Sequence, residues 1–146
     1  MTPRQAVEDF YDRIWNRLDK AAIPELIHPD FTFRGSLGPT VTGHAAFVAY
    51  VDGVTDALAD YRCTILDLMS EGERAFARMR FEGIHRAPFL GFAPTGRRVD
   101  WAGAALFTLK SDKIARSLGP GRPAGASRAA ATQRGALTNR PSNHIL

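Results

Sequence analysis

Apolar residues recur every three or four positions from Ala6 to Leu18, through Val7, Phe10, Tyr11, Ile14 and Trp15. That spacing draws one broad stripe along a helix, while Glu8, Asp9, Asp12, Arg13 and Arg17 take the opposite side. Thr2-Pro3-Arg4-Gln5 has the spacing of a capping box, with proline at the first helical position and Gln5 reaching back. Ala21 to Ile27 predicts a second short helix, stopped at His28-Pro29 because a residue before proline disfavours helical backbone. Phe31-Thr32-Phe33-Arg34 alternates as a short strand, and Gly35 to Gly43 is a turn-rich loop. Thr42 reads as the cap of a third helix with Phe47, Tyr50, Val51, Val54 and Leu58 on one side.

After Asp60 the period changes from helical to alternating. Tyr61–Met69, Arg74–Arg86 and Arg97–Leu109 predict three strands, and Ser111-Asp112-Lys113 turns into a fourth at Ile114. Between the second and third strands, Pro88 to Gly96 forms a loop with two glycines and two prolines. Helices followed by several long antiparallel strands predict an α+β fold, in which a curved antiparallel sheet wraps the N-terminal helices.

The charge is divided unevenly over the 146 residues. The net charge of +4 hides a body, residues 1–112, in which acids outnumber bases by two, and a stretch, 113–146, with six basic residues and no acid. All 14 aromatic residues lie between Phe10 and Phe107. The expected organisation is one folded domain over residues 1–116 and a disordered or atypical basic tail over 117–146. So abrupt a change in an Ala/Arg/Gly/Pro-rich stretch also fits sequence read out of frame in a GC-rich gene. A folded basic face interleaved with aromatics is missing, which argues against a nucleic-acid partner. No apolar run approaches the ~20 residues of a membrane span, and no apolar segment follows the N-terminal Met-Thr-Pro-Arg-Gln. The single cysteine, Cys63, excludes an internal disulfide and a multi-cysteine metal site. The expectation is a cytoplasmic protein with no metal and no membrane partner.

The segment from Gly83 to Val99, with Gly83-Ile84-His85 followed by Gly91-Phe92-Ala93-Pro94-Thr95-Gly96-Arg97, resembles a motif of the SnoaL-like polyketide cyclases (ester cyclases). These belong to the wider superfamily similar to nuclear transport factor 2. Ser111-Asp112-Lys113-Ile114 is similar to that family's Asp-Gly-Lys-Ile hairpin, and the likeness covers roughly residues 5–116. The resemblance implies a conical fold, an apolar pocket for a small hydrophobic, aromatic polyketide-like molecule, and homodimers paired through the sheet. It implies cofactor-free aldol cyclisation or isomerisation, in which a base removes a proton beside a carbonyl and the enolate is stabilised. The family's acid/base Asp, usually following a Trp near the end of the last strand, has no counterpart here. The matching stretch, Arg116 to Arg122, holds neither residue. A non-catalytic binding domain is therefore the alternative.

His85, in the matched Gly-x-His, is the first catalytic candidate, against a role in holding the Pro88–Gly96 loop. Asp100 is the sole carboxylate of the third strand and the substitute base, against a surface ion pair with a neighbouring arginine. Candidate binding residues are Trp15, Tyr50 and Trp101, the loop residues Phe89 and Phe92, and the strand arginines Arg34 and Arg80. For Arg80 the competing role is a wet outer face paired with acids.

Overall fold

Residues 1–35, 40–88 and 95–119 are described by the computed structural model. The chain opens with α1 (Pro3–Asp9), capped as the sequence implies: the Thr2 hydroxyl accepts from the Gln5 amide at 3.1 Å. The same helix then widens into a π-helical segment, Phe10–Asn16, that buries Phe10, Tyr11, Ile14 and Trp15. Such widened turns are rare and often mark functional sites. At its end Asn16 behaves like a piece of strand. Its side-chain amide donates to the Cys63 carbonyl at 2.9 Å, and its oxygen accepts from the Cys63 N–H at 2.7 Å.

A short α2 (Ala22–Leu26) runs directly into β1 (Ile27–Arg34), four residues earlier than the alternation suggests. Pro29 sits inside that strand, where the register against its neighbour shifts between Ile27 and Thr32. A proline lacks the N–H a ladder needs, so it is accommodated at such an irregularity. The two-residue β2 (Val41–Thr42) pairs with β1, and α3 (His44–Ala57) follows. The cap of α3 is Gly43 rather than Thr42, with φ at 86° and ψ at 167°, backbone that favours glycine.

Four long strands follow: β3 (Leu58–Glu71), β4 (Arg74–His85), β5 (Arg98–Lys110) and β6 (Lys113–Leu118). The six strands make one curved, unclosed sheet in the order β2-β1-β6-β5-β4-β3. All pairings are antiparallel except β1 with β6, which is parallel, a correction to the wholly antiparallel expectation. The β5–β6 hairpin turns on Ser111 and Asp112, both with positive φ. Two left-handed residues in a two-residue turn match the right-handed twist of the flanking strands.

The α1–π helix and α3 lie against the concave face. There Phe10, Phe31, Phe47 and Phe107 are fully buried in edge-to-face and stacked contacts. β6 reaches Leu118, and the Gly119 N–H donates to the Arg34 carbonyl at 2.8 Å. The expected basic tail lies outside the described residues from Pro120 onward.

Candidate functional site: an aromatic hollow under the first helix

Strand parity decides which side chains reach the interior. On β4 the buried set is Ala75, Ala77, Met79, Phe81, Gly83 and His85; on β5 it is Trp101, Gly103, Ala105, Phe107 and Leu109. Between this face and the first helix lies a small cavity of about 20 Å³, lined by Tyr11, Trp15, Phe33, Tyr50, Tyr61 and Phe81. That volume holds a single water molecule. The expectation of a hollow roomy enough for a whole guest molecule is corrected by this filling: six aromatic rings occupy the concavity. A groove of about 190 Å³ adjoins it, sharing Trp15 and Tyr61 and continuing over Leu18, Thr55, Ala59 and Arg86.

The lining is held by ring contacts. Tyr50 packs on Phe33 with centroids 4.7 Å apart, Trp15 on Tyr61 at 5.4 Å, and Phe81 lies 6.3 Å from Tyr61 and 6.0 Å from Trp101. The polar side-chain atoms in this apolar shell are three phenol hydroxyls and the Trp15 indole N–H. Burial pushes the Tyr50 hydroxyl up to about 12 and holds Tyr11 and Tyr61 well above the ordinary phenol range. Nearby Cys63 and the other tyrosines add to the shifts of Tyr11 and Tyr61, and burial raises the Cys63 thiol as well. An anion is disfavoured in such surroundings, so each phenol stays neutral and remains a donor.

His85 ends β4 on the interior face, two steps beyond Phe81, and is only 6% exposed. Its backbone closes the neck of the β4–β5 loop, accepting from Gly96 N–H at 2.8 Å and donating to the Arg97 carbonyl at 2.9 Å. Its Nδ1 lies 3.4 Å from the Thr95 hydroxyl, long for a hydrogen bond. Trp15 and Tyr50 line the hollow, and Trp101, 5% exposed, backs Phe81.

Arg80 and Asp100 lie elsewhere. They sit on the opposite parity of their strands and pair with each other on the outer face, where the Arg80 side chain is half exposed. The Asp100 hydrogen bond is the largest cause of the rise in the Arg80 pKa. Register places Glu82 opposite Asp100, and Arg98 reaches Glu82 at 3.4 Å, so the outer face carries a small ion-pair network. Arg34 likewise takes the parity opposite Phe33, and its guanidinium donates to the Gly119 carbonyl at 3.1 Å. Phe89 and Phe92 lie outside the described residues. Sequence reasoning did not single out Tyr11, Tyr61, Phe33 and Phe81 as lining. Tyr11 stands four residues before Trp15 on the helical stripe, and Phe81 shares the parity of Met79, so both signals were present.

Among the described residues no three His, Cys, Asp or Glu side chains come together as a metal site, and no helix is long and apolar enough to cross a membrane.

A curved sheet closed by N-terminal helices over an aromatic hollow defines the α+β class of this fold. Within it, this chain belongs to the SnoaL-like domain family, whose pattern matches residues 7–117. It is 32% identical over 83 residues to an Aspergillus niger protein named probable cyclase otaY, a match covering 57% of this chain and 69% of that one. Its fold is similar to that of TsrD from Streptomyces laurentii (TM-score 0.69, 26% identity, 77% of this chain and 82% of the other). It is also similar to a SnoaL-like polyketide cyclase from Agrobacterium tumefaciens (TM-score 0.70, 18% identity, 82% and 90% covered).

Proposed function

We propose that this protein is of the polyketide cyclase type: it binds a small aromatic, polyketide-like carbonyl compound in the groove beside the hollow, and His85 moves a proton beside the carbonyl. The observation that carries this reading is the buried imidazole on the same interior face as Phe81, whose ring lines the hollow. An imidazole both accepts and donates a proton, as ring closure requires. The base takes a proton from the carbon next to the carbonyl and leaves an enolate. The enolate carbon then bonds to a second carbonyl carbon, and the alkoxide so formed recovers the proton from the imidazolium. No cofactor enters that balance.

The direct test is hydrogen–deuterium exchange at the methyl group of 2-acetonaphthone in D₂O, followed by proton NMR. The protein should accelerate it, and His85→Ala should lower the acceleration at least tenfold. Exchange at the buffer rate overturns the catalytic reading.

A specific observation favours a second reading, a binding domain without turnover. The buried polar residues are Thr55, His85 and Ser117, so no described Asp or Glu stands inside to serve as a desolvated base. Binding of the ketone without exchange selects this reading. We further propose a cytoplasmic homodimer joined through the outer face of the sheet, supported by Phe76 and Met69, 39% and 62% exposed beside Leu106 along an open groove. Sedimentation as a monomer at micromolar concentration overturns the dimer.

A further inference from the structure

Three tyrosines are all the tyrosines this chain has, and all three line one cavity. They come from three different elements: Tyr11 from the π-helical segment, Tyr50 from α3 and Tyr61 from β3. Among the described residues none of their hydroxyls is hydrogen-bonded to protein, and none is a sealed polar atom: each keeps some accessible surface. An oxygen atom placed in the cavity can therefore accept from them. The space fits such an atom and little more, because about 20 Å³ admits one water or one ligand oxygen but no ring.

Charge narrows the ligand further. Phenols kept neutral by burial offer donors, and the walls around them are apolar rings with no described cation. A carboxylate or phosphate oxygen placed inside the cavity would be stripped of water with no cation among the described lining residues. A ketone oxygen, or an enolate oxygen formed in place, accepts from several donors without bringing a full charge from solution. Room for the rest of the molecule exists next door. The groove of about 190 Å³ shares the Trp15 and Tyr61 rings, which are suited to lie against a flat aromatic system.

We propose that Tyr11, Tyr50 and Tyr61 form a three-phenol donor site that takes the carbonyl oxygen of an aromatic ketone, with the ring lodged in the groove behind Trp15 and Tyr61. This deepens the reading of the same site given above and rests on it: if the hollow binds nothing, both fall. The phenols supply what the proton transfer at His85 leaves unmet, a place for the negative charge that gathers on oxygen as the proton leaves.

The test uses the full chain and 2-acetonaphthone carrying ¹³C at the carbonyl. Binding is read by quenching of tryptophan fluorescence, and the carbonyl stretch of the bound ketone by difference infrared spectroscopy. The stretch should fall to lower wavenumber than in hydrocarbon solvent. Tyr11→Phe, Tyr50→Phe and Tyr61→Phe should each return part of that shift and weaken binding about three- to tenfold. Should one variant not fold, the wild-type stretch and the remaining two still decide. A bound ketone whose stretch matches hydrocarbon overturns the phenol site while leaving the hollow a binding site. Equal affinity and stretch in all three variants has the same consequence, and shows that the hydroxyls serve a trapped water instead. No binding at all overturns this inference together with the function on which it rests.

Discussion

Gly103 on β5 is what lets the Phe81 ring lie flat beneath the hollow: a Cβ built on Gly103 would fall inside 3.0 Å of the Phe81 ring edge. The two residues face the same interior from neighbouring strands, and the ring has Trp101 on one side and Tyr61 on the other. A methyl at Gly103 therefore presses on a ring that lines the cavity. Gly103→Ala should fill the hollow and strain the ring, lowering stability by about 1–3 kcal/mol as over-packed cores do. Urea unfolding measures the loss, and binding of 2-acetonaphthone should weaken beyond what the destabilisation explains. A variant as stable as the parent, with unchanged binding, would show that the ring does not define the cavity wall.

The phenols make a second expectation, at high pH. Their folded-state pKa values are raised by burial, Tyr50 to about 12 and the other two well above the usual phenol range, whereas an exposed tyrosine ionises near 10. A raised value means the folded protein holds its protons longer than the unfolded chain. The associated stability is fully present below about pH 10 and is lost as pH climbs through the folded values. Because the chain has no other tyrosine, absorbance of tyrosinate near 295 nm should show no ordinary step at pH 10. It should rise only together with the loss of folded circular dichroism. A reversible step near pH 10 in protein that remains folded would place at least one phenol in solvent.

Asp100 and Arg80 give a contrast with His85. Their ion pair sits on the outer face with the arginine half exposed, and exposed pairs contribute about 0–1 kcal/mol. Asp100→Asn should leave both ketone binding and α-proton exchange within twofold of the parent, while His85→Ala removes the exchange. A tenfold loss of exchange in Asp100→Asn, with folding intact, would return Asp100 to the chemistry.

What the sequence made legible follows from how local each signal is. The helix stripe, the Thr2 cap and the period-two strands are fixed by neighbours within a few residues, and all are present in the fold. Parity placed Phe81 and Met79 on one face and Arg78 and Arg80 on the other, but parity alone does not say which face is concave. The pocket was harder to read because its lining comes from β1, β3, β4 and two helices, and which aromatics meet is set by the sheet's curvature. The π-helical widening leaves no mark in a pattern of threes and fours. Arg34 was misplaced by the same ambiguity: a strand of four residues gives two faces and no way to choose between them.

The last expectation concerns the place where β6 stops. It pairs with β5 only from Lys110 back to Leu106, so among the described residues nothing lies along that edge of β5 from Arg98 to Ala105. The family pattern also ends here, at residue 117. A shift of reading frame near residue 117 would fit that end. Leu118-Gly119 encoded as CTG-GGN or TTG-GGN contains TGG, the tryptophan triplet, one nucleotide out of frame. In that frame, with Arg122 encoded CGN, the triplet four places further on, spanning Arg122 and Pro123, reads GNC, which encodes Asp when N is A. A Trp followed by an Asp is what the resemblance leads one to expect at the end of this strand, and a continued β6 would cover the β5 edge. Peptide mapping of the protein purified from its own host should therefore yield a tryptophan-containing peptide after Arg116. Recovery instead of the tryptic peptide Ser117–Arg128, uncut at Arg122 because Pro123 follows, would establish the present sequence as the natural one.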